Sequence, residues 1–529
     1  EYVEPKTEKE KVLADIYKEV LNVEKIGIED SFFEMGGDSI KAIRIISKLR
    51  EVGYKCSVKD IMNLKNIMSV AEVVEQINKE KKQSEQDILG SIEQTPIISW
   101  YNQLKLENKN HFNQSMMLNG KRIERDVLQK TIEHIMGQHD ILRSVWKDEK
   151  LYVEKEVKEA MYELREEAVT EEAEIVRIGK EVQESLDIEK GEMIKFVLYH
   201  KPNEDCILIV AHHLVIDGVS WRILLEDFEK AYVEIRETGK AKEREKTDSY
   251  KMWSKNIREY EEKTMQETEK EYWKEFAKKA KELESKEREV YGEKKYIDIE
   301  LDEETTTRLI TEANKAYGTR TEELLIAALM HTMNKVENKN KILIELEGHG
   351  REKINESVEI DRTVGWFTSM YPVILSQGES LRETIINTKE SMRTIPNKGI
   401  GYGVLRYGKN SEEYKVNADI VFNYLGEFQE ENLGELRIGK NCCDIYDVAE
   451  TNHADHKIVI NSEKRDGKIE ASITYDEMYY DESYAKQVGE EYIKSLQEMV
   501  EHCGGKEAEK TATDYGLEDF SVKEFDDLM

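Results

Sequence analysis

Residues 206–232 have the sequence CILIVAHHLVIDGVSWRILLEDFEKAY, and the fold interpretation depends on the transition inside this stretch. The run Cys206–Val210 is continuously apolar, which predicts a strand. Further on, the apolar side chains recur at helical spacing, at Trp221, Leu224, Leu225, Phe228 and Tyr232. His212 and His213 stand at this strand-to-helix junction. Because an imidazole accepts or donates a proton near neutral pH, the junction is a natural place for a catalytic group.

The two adjacent histidines cannot share one environment. Consecutive side chains of an extended strand point to opposite faces, so we expect one imidazole to be buried and structural and the other to face a cleft. A histidine pair by itself is more often structural than catalytic, and the surrounding motif is needed to decide between the two roles.

The chain from Thr95 onward alternates strand-like runs such as Ile342–Leu346 with helical stretches. This alternation predicts an α/β domain. Residues 254–290 are dense in lysine and glutamate and predict a solvated helix supported by i,i+4 pairs, with Trp273 and Phe276 as its buried stripe.

The length of 529 residues predicts at least two folded units, and 39% hydrophobic with 36% charged residues is a globular composition. A formal net charge of −32 would repel nucleic acid and anionic membranes. The five cysteines, Cys56, Cys206, Cys442, Cys443 and Cys503, show no metal-ligand spacing, and we expect reduced thiols in a cytoplasmic protein. The sequence contains no apolar run of about 18 residues, so it predicts no membrane span. The chain does not begin with Met, so we expect a part of a larger protein.

Residues 7–80 predict a small helical unit. Apolar residues recur at helical spacing from Val12 to Leu21, and a last helix is predicted over Val70–Ile77. Between them Ser39 follows Gly36-Gly37-Asp38 and opens a helix. A phosphodiester on Ser39 would lie at a helix N-terminus, where free N–H groups and the dipole favour an anion. The alternative role of Ser39 is that of a helix N-cap.

Two motifs carry a family resemblance. Residues 32–42, FFEMGGDSIKA, resemble the phosphopantetheine attachment motif of peptidyl carrier domains, and residues 212–218, HHLVIDG, resemble the active-site motif of the condensation-domain superfamily. The first resemblance implies that Ser39 carries a covalent 4'-phosphopantetheine arm holding an acyl group as a thioester. The second implies two chloramphenicol-acetyltransferase-like lobes around a tunnel. It also implies that His213 is the base, with His212 and Asp217 in supporting roles.

Further segments are similar, in the expected order, to signatures of epimerization domains of nonribosomal peptide synthetases. They are the stretches ELEGHGRE at 345–352, RTVGWFTS at 362–369, PNKG at 396–399 and FNYLG at 422–426. The resemblance spans about Thr95 to Gly504. Its opening segment, around Pro96–Trp100 and Asn113-Gln114-Ser115, is a looser match.

The resemblance implies inversion of an α-carbon, which needs one group to remove a proton and another to return one to the opposite face. His213 and Glu347 are the candidates, and the thioester carbonyl would delocalise the carbanion as an enolate. Asn423 and Tyr424 are candidates for hydrogen-bond donors or proton relays, with strand packing as the alternative. Glu347 alone would suggest only a solvated carboxylate. Arg351 is expected either to orient Glu347 or to pair with Asp217, and the sequence leaves this choice open.

The expected fold is multidomain: a small all-α four-helix carrier bundle followed by an α/β domain of two chloramphenicol-acetyltransferase-like lobes. The expected boundaries are a carrier domain at 7–80, a linker at 81–93, an N-terminal lobe at 94–270, a C-terminal lobe at 271–505 and a tail or docking helix at 506–529. Rival functions are amide-bond formation by a condensation domain and a catalytically silent platform that binds carriers. The expected partners are an upstream adenylation domain, a downstream condensation domain and a phosphopantetheinyl transferase, with no metal, nucleic acid or membrane.

Overall fold

The computed structural model describes residues 2–77, 83–244, 246–285, 290–355, 357–428, 433–439, 446–453, 456–517, 522 and 524–525, with Ser39 and Phe428 as backbone only. The described residues do not include Cys442 and Cys443. They also exclude residues 78–82, where the predicted carrier domain meets the predicted linker, and most of the docking helix expected near Phe525. None of the described helices is both long enough and apolar enough to cross a bilayer.

Residues 2–77 form a mainly helical unit with a hydrophobic core of its own. Its helices are α1 (Glu8–Leu21), α2 (Ser39–Glu51), α3 (Val58–Leu64) and α4 (Ile67–Val73). Thr7 and Glu10 form a capping box at the start of α1. The side chain of Asp38 caps α2 by accepting a hydrogen bond of 2.8 Å from the Lys41 backbone N–H. The predicted bundle of four helices is confirmed within these residues.

The prediction that the last helix reaches Ile77 is wrong. Helix α4 ends at Val73, and Glu75–Gln76 form a short strand, β2, that pairs antiparallel with β1 (Tyr54–Lys55). Val74 has an extended backbone and is only 2% exposed. Adjacent β-branched valines favour extended backbone, so the chain leaves the helix while it still buries Val74 in the core.

The described part of the predicted linker packs on the domain that follows it. It contains α5 (Glu85–Ile88) and β3 (Gly90–Ser91), and β3 pairs with β6 (Lys150–Val153). The side-chain amide of Gln83 donates a hydrogen bond of 2.7 Å to the Thr247 carbonyl oxygen. This packing ties the carrier unit to the first lobe.

The first lobe is built on a mixed sheet with the strand order β14-β4-β9-β8-β7, in which β14 is Arg437–Gly439. Its main elements are α6 (Pro96–Gln103), β4 (Asn113–Gly120), α7 (Arg125–Gln138), β5 (Ser144–Lys147), β7 (Tyr162–Ala168), α8 (Glu172–Glu184), β8 (Ile194–His200), β9 (Asp205–His212) and α9 (Gly218–Thr238). Helices α7 and α9 cover one face of the sheet and α8 the other. Strand β9 is therefore buried along its whole length, as its continuous apolar sequence requires.

The second lobe is built on a sheet with the order β10-β16-β15-β13-β11-β12. Its elements are β10 (Lys294–Leu301), α12 (Glu303–Arg308), α13 (Asn314–Tyr317), α14 (Thr321–Glu337), β11 (Lys341–Gly348), β12 (Ser369–Ser376), α15 (Leu381–Arg393), α16 (Ile400–Arg406), β13 (Ile420–Phe428), β15 (Ile458–Arg465), β16 (Lys468–Asp476) and α17 (Glu482–Cys503). Strand β13 runs parallel to both β11 and β15. The predicted α/β domain of two lobes is confirmed.

A crossover segment from the second half of the chain completes the first lobe. Strand β14 (Arg437–Gly439) pairs antiparallel with β4, although the sequence boundary at 271 assigns it to the C-terminal lobe. The carboxylate of Glu229 on α9 accepts hydrogen bonds from the backbone N–H groups of Glu435 and Leu436 at 2.7 and 3.2 Å. The second half of the chain thus contributes a strand to the sheet of the first lobe, in addition to the packing between the lobes.

The single helix predicted over residues 254–290 is wrong. Two helices, α10 (Tyr250–Lys263) and α11 (Glu267–Ala280), occupy the described part, and Met265 between them is buried. The break brings the Tyr260 hydroxyl within 2.7 Å of Glu269, to which it donates a hydrogen bond. Burial of Met265 and of this polar pair outweighs continuation of the helix.

Candidate functional site

The histidine junction is shaped by three consecutive elements. Strand β9 ends at His212, a 3₁₀ turn covers His213–Val215, and α9 begins at Gly218. Asp217 caps α9 by accepting a hydrogen bond of 2.7 Å from the Ser220 backbone N–H. The turn directs the two adjacent imidazoles into different surroundings.

The imidazole of His212 is enclosed in the first lobe. It is 0% exposed, its Nε2 donates a hydrogen bond of 2.8 Å to the Lys109 carbonyl oxygen, and its Nδ1 accepts one from the Leu214 backbone N–H. Burial lowers the pKa of His212 to about 3, so the ring is neutral. These contacts suit a structural role.

The imidazole of His213 faces the interior between the lobes. Its Nδ1 donates to the Ile216 carbonyl oxygen at 2.8 Å, so its Nε2 carries the lone pair and accepts a hydrogen bond of 2.9 Å from the Gln114 amide. Trp221 holds that amide by donating to its oxygen at 2.9 Å. Burial lowers the pKa of His213, and the Trp366 ring lies 4.3 Å from the imidazole centroid. The ring is therefore a neutral base of fixed orientation.

The open question about Arg351 is decided by its contacts. Its guanidinium donates to the Ser220 hydroxyl at 2.9 Å and lies 3.5 Å from the Asp217 carboxylate. The other Asp217 oxygen accepts a hydrogen bond of 2.9 Å from the Phe367 backbone N–H. Asp217 and Arg351 are both buried, and together they fix the turn after His213 rather than the position of Glu347.

Glu347 lies near the end of β11 in the second lobe and is partly buried. Its Oε2 accepts a hydrogen bond of 3.0 Å from the side-chain amide of Asn423 on the neighbouring strand β13. Burial first, and the nearby Glu345 carboxylate second, raise the pKa of Glu347 to about 7. At neutral pH this carboxyl group is therefore protonated in a large fraction of molecules.

Asn423 and Tyr424 precede a bulge where the pairing of β13 with β15 shifts register before Glu427. Both residues line the interior cavity, and Asn423 is the partner of Glu347. Burial, together with the Asp38 and Glu427 carboxylates, raises the pKa of Tyr424 well above its ordinary value. The tyrosine hydroxyl thus keeps its proton and remains a donor.

One cavity of about 540 Å³ connects these groups with the carrier unit. Its lining includes His213 on one side and Glu347, Asn423 and Tyr424 on the other. The carrier contributes the residues around the start of α2, namely Gly36, Gly37, Asp38, Ile40 and Lys41. The structure therefore brings the predicted histidine, carboxylate and carrier-helix segments to one space.

The carrier is anchored beside this cavity by a buried ion pair. The ammonium of Lys41 lies 2.6 Å from the Glu427 carboxylate, and both side chains are below 15% exposed, at 11% and 13%. Although burial alone would raise the pKa of Glu427, Lys41 and Lys464 lower it to about 2. Gly426 has φ of +78°, and a side chain there would come within 3.1 Å of Ile40.

A second set of contacts holds the far end of α2. Arg50 lies 2.6 Å from Glu359 and 2.9 Å from Asp361 of the second lobe. Arg362 reaches back to the Ser47 hydroxyl and to Glu51 at 3.1 Å. Helix α2 is therefore bound along its length by opposite charges.

Sequence reasoning did not single out Gln114, Glu322 or Glu427 as site residues. Gln114 was only part of a loosely matching segment, and Glu427 follows the FNYLG motif without a signal of its own. Glu322 lines the same cavity, and burial raises its pKa to about 7. In a chain with 111 acidic residues, no local pattern distinguishes these carboxylates from solvated ones.

Comparison with known proteins agrees with this architecture. Residues 92–516 match the condensation domain family, and residues 11–74 match the phosphopantetheine attachment site. The whole chain is 35% identical to part of bacitracin synthase 2 of Bacillus licheniformis and 33% identical to part of gramicidin S synthase 1 of Brevibacillus brevis. It spans 21% and 51% of the lengths of these two relatives.

Among solved structures, the epimerization domain from the third module of tyrocidine synthetase B superposes with a TM-score of 0.71 and 28% identity. That match covers 79% of this chain and 99% of the other. The first condensation domain of the calcium-dependent antibiotic synthetase superposes with a TM-score of 0.62 at 14% identity, which shows the shared fold alone. The chain thus belongs to the condensation-domain family of nonribosomal peptide synthetases and carries a phosphopantetheine attachment domain ahead of its condensation-type fold.

Proposed function

We propose that this chain epimerizes the α-carbon of an aminoacyl or peptidyl thioester carried on Ser39 of its own carrier domain. The observation that carries the proposal is the single cavity in which His213 and Glu347 face the space beside the start of α2. The similarity to a solved epimerization domain supports the same activity. An upstream adenylation domain would select the amino acid, a phosphopantetheinyl transferase would load the arm, and a downstream condensation domain would use the product.

The residues around Ser39 suit a phosphopantetheine arm. Ser39 is the first residue of α2, and a phosphodiester there lies at the helix N-terminus. Gly36, Asp38 and Ile40 form the carrier side of the cavity, which leads toward His213 and Glu347. When bound, the arm supplies a thioester whose carbonyl makes the neighbouring α-proton acidic.

The two candidate proton carriers have complementary protonation states. His213 is neutral, and its Nε2 lone pair accepts a hydrogen bond from the Gln114 amide at the cavity wall, whereas Glu347, with a pKa of about 7, can retain a proton. Inversion needs a base on one side of the carbon and an acid on the other. We therefore assign His213 as the group that removes the proton and Glu347 as the group that returns one.

Developing negative charge on the thioester oxygen needs hydrogen-bond donors. Tyr424 lines the cavity with its proton retained, and Asn423 holds Glu347 by its amide. One well-placed donor contributes about 10²–10³-fold in rate. Tyr424 is our candidate donor, and Asn423 orients the acid.

Direct chiral analysis tests the proposal. The full chain is loaded at Ser39 with an L-aminoacyl phosphopantetheine, loading is verified by intact mass, and the released amino acid is resolved by chiral chromatography. We expect a mixture of D and L forms and, in D₂O, deuterium at Cα. An unchanged L product without deuterium would overturn the proposal.

Condensation is the second candidate, because the family match and His213 are compatible with it. Addition of a second loaded carrier distinguishes the two. A dipeptide without inversion would favour condensation, and inversion without a dipeptide favours epimerization.

A further inference from the structure

A second carboxylate lies close to Glu347 in the second lobe. Glu345 precedes it by two residues on β11, so the two side chains project from the same face of the strand. The intervening Leu346 and the preceding Ile344 are both 0% exposed on the opposite face, which confirms the alternation. Glu345 is itself only partly exposed, with 18% of its side chain accessible.

The Glu345 carboxylate has a histidine partner from a different part of the sheet. The Nε2 of His456 lies 2.7 Å from its Oε2, and the His456 side chain is 7% exposed. His456 stands just before β15, which is separated from β11 by β13. Glu345 and Glu347 on β11 and His456 just before β15 therefore form a cluster that spans the intervening strand β13.

Several described groups lie around this cluster. On β13, Glu347 contacts the neutral amide of Asn423, and on β12 the register partners of Glu347 and Glu345 are Met370 and Pro372. From α16, the neutral Tyr402 phenol lies close enough to Glu345 to interact electrostatically. Other charged groups nearby are engaged elsewhere: Lys457 with Asp419 at 2.9 Å, Lys398 with Glu352 at 3.6 Å, and Arg351 with Asp217 at 3.5 Å.

A like charge disfavours ionisation of a neighbouring carboxyl group, and a cation near it has the opposite effect. The Glu345 carboxylate raises the pKa of Glu347, second to burial, and His456 lowers it. The two members of the pair thus act on Glu347 with opposite signs.

We propose that Glu345 is a positioning residue that keeps Glu347 in its protonated form, and that His456 limits this effect by partly neutralising Glu345. This inference rests on the epimerization proposed above, in which Glu347 returns the proton. It assigns a role to two residues that are not among those lining the cavity.

The test uses the full chain and two variants with opposite expectations. Glu345→Gln removes the like charge while keeping a side chain that can hydrogen-bond His456, so Glu347 should titrate at lower pH. His456→Gln removes the imidazole that pairs with Glu345, so Glu347 should titrate at higher pH. The Glu347 carboxyl signal is followed by ¹³C NMR in protein labelled at glutamate side-chain carboxyls and is assigned by its loss in Glu347→Gln.

Turnover provides the second readout. The alkaline limb of the inversion rate should move to lower pH in Glu345→Gln and to higher pH in His456→Gln, with a severalfold lower rate at pH 8 in the first variant. Shifts of the Glu347 titration in the same direction in both variants, or no shift in either, would overturn the inference. Glu345→Asp, whose shorter side chain draws the carboxylate back toward the β11 backbone, replaces Glu345→Gln if the latter does not fold.

The NMR titration requires no turnover, so the role of Glu345 and the epimerization activity are tested independently of each other. Opposite titration shifts in a protein that never inverts its substrate would overturn the epimerization proposal and leave the electrostatic role of Glu345 standing. Inversion with an unshifted Glu347 titration in both variants would overturn the role of Glu345 alone.

Discussion

The two walls of the cavity use burial in opposite ways. On the first-lobe wall, His213 has hydrogen bonds at both ring nitrogens and packs against Trp366, and burial lowers its pKa. On the second-lobe wall, Glu347 has one neutral amide partner and a neighbouring carboxylate, and its pKa rises to about 7. Removal from water disfavours the charged form of either group. The same environment therefore leaves a base on one wall and an acid on the other.

The largest expected effects come from removing either wall's proton carrier. His213→Gln and Glu347→Gln should each lower the inversion rate by about 10²–10⁴-fold, the usual contribution of general acid–base catalysis. Because the groups address opposite faces, each variant should retain solvent-deuterium exchange with one enantiomer, and the two variants should retain it with opposite enantiomers. Mass spectrometry of products from L- and D-loaded protein measures this.

Glu322→Gln is the matched control for the second wall, because Glu322 lines the same cavity with a similarly raised pKa. Glu322 has no assigned part in proton transfer, so Glu322→Gln should keep its inversion activity. If Glu322→Gln lost inversion while Glu347→Gln kept it, the acid would have been assigned to the wrong carboxyl group.

The second prediction concerns the carrier, which is anchored to the strand that also bears Asn423. Lys41→Glu places two carboxylates together in the buried Lys41–Glu427 contact. Breaking a buried pair costs about 3–5 kcal/mol, so the carrier should leave its docked position and inversion should fall steeply. Small-angle X-ray scattering of the full chain should report a larger radius of gyration, and intact mass confirms that loading at Ser39 is retained.

The exchanged pair, Lys41→Glu with Glu427→Lys, is the control for this variant. It should recover part of the compact form and part of the activity. Equal loss in the single and the double variant would argue that the contact is structural and does not depend on charge.

The pH dependence of the inversion rate should show the ionisation of Glu347 and that of His213 as two separate limbs. The base must be neutral and the acid protonated, so the rate should fall as pH rises through the pKa of Glu347 at about 7. On the acid side it should fall only as pH drops through the lowered pKa of His213. Each limb should change about tenfold per pH unit. A profile that rises through pH 8 would contradict the assignment of Glu347 as acid.

The smallest expected effect comes from the orientation of the base. Trp221→Phe removes the donor that holds the Gln114 amide, and a single hydrogen bond contributes about 0.5–1.5 kcal/mol. The inversion rate should therefore fall about 2- to 10-fold, with the pH limb of Glu347 unchanged. A shift of that limb would show that His213 and Glu347 are coupled, contrary to their separate hydrogen-bond partners.

Much of the fold followed from local patterns. The apolar run before His212, the helical spacing after Asp217 and the glycine-rich approach to Ser39 each predicted an element that the structure contains. The predictions failed where packing overrode local preference. Val74 leaves its helix to fill the carrier core, and the lysine- and glutamate-rich stretch breaks where Met265 is buried.

By itself the sequence determined the order of the elements, the family and the residue types available for proton transfer, because periodicity and motifs are local properties of the chain. Only the tertiary structure decided which of two histidines meets the cavity, that Arg351 serves Asp217, and that Glu347 has Asn423 as a neighbour. These features depend on distances between segments that are 76 to 134 residues apart. The charge state of a buried group is set by what surrounds it in space, and no spacing along the chain encodes those surroundings.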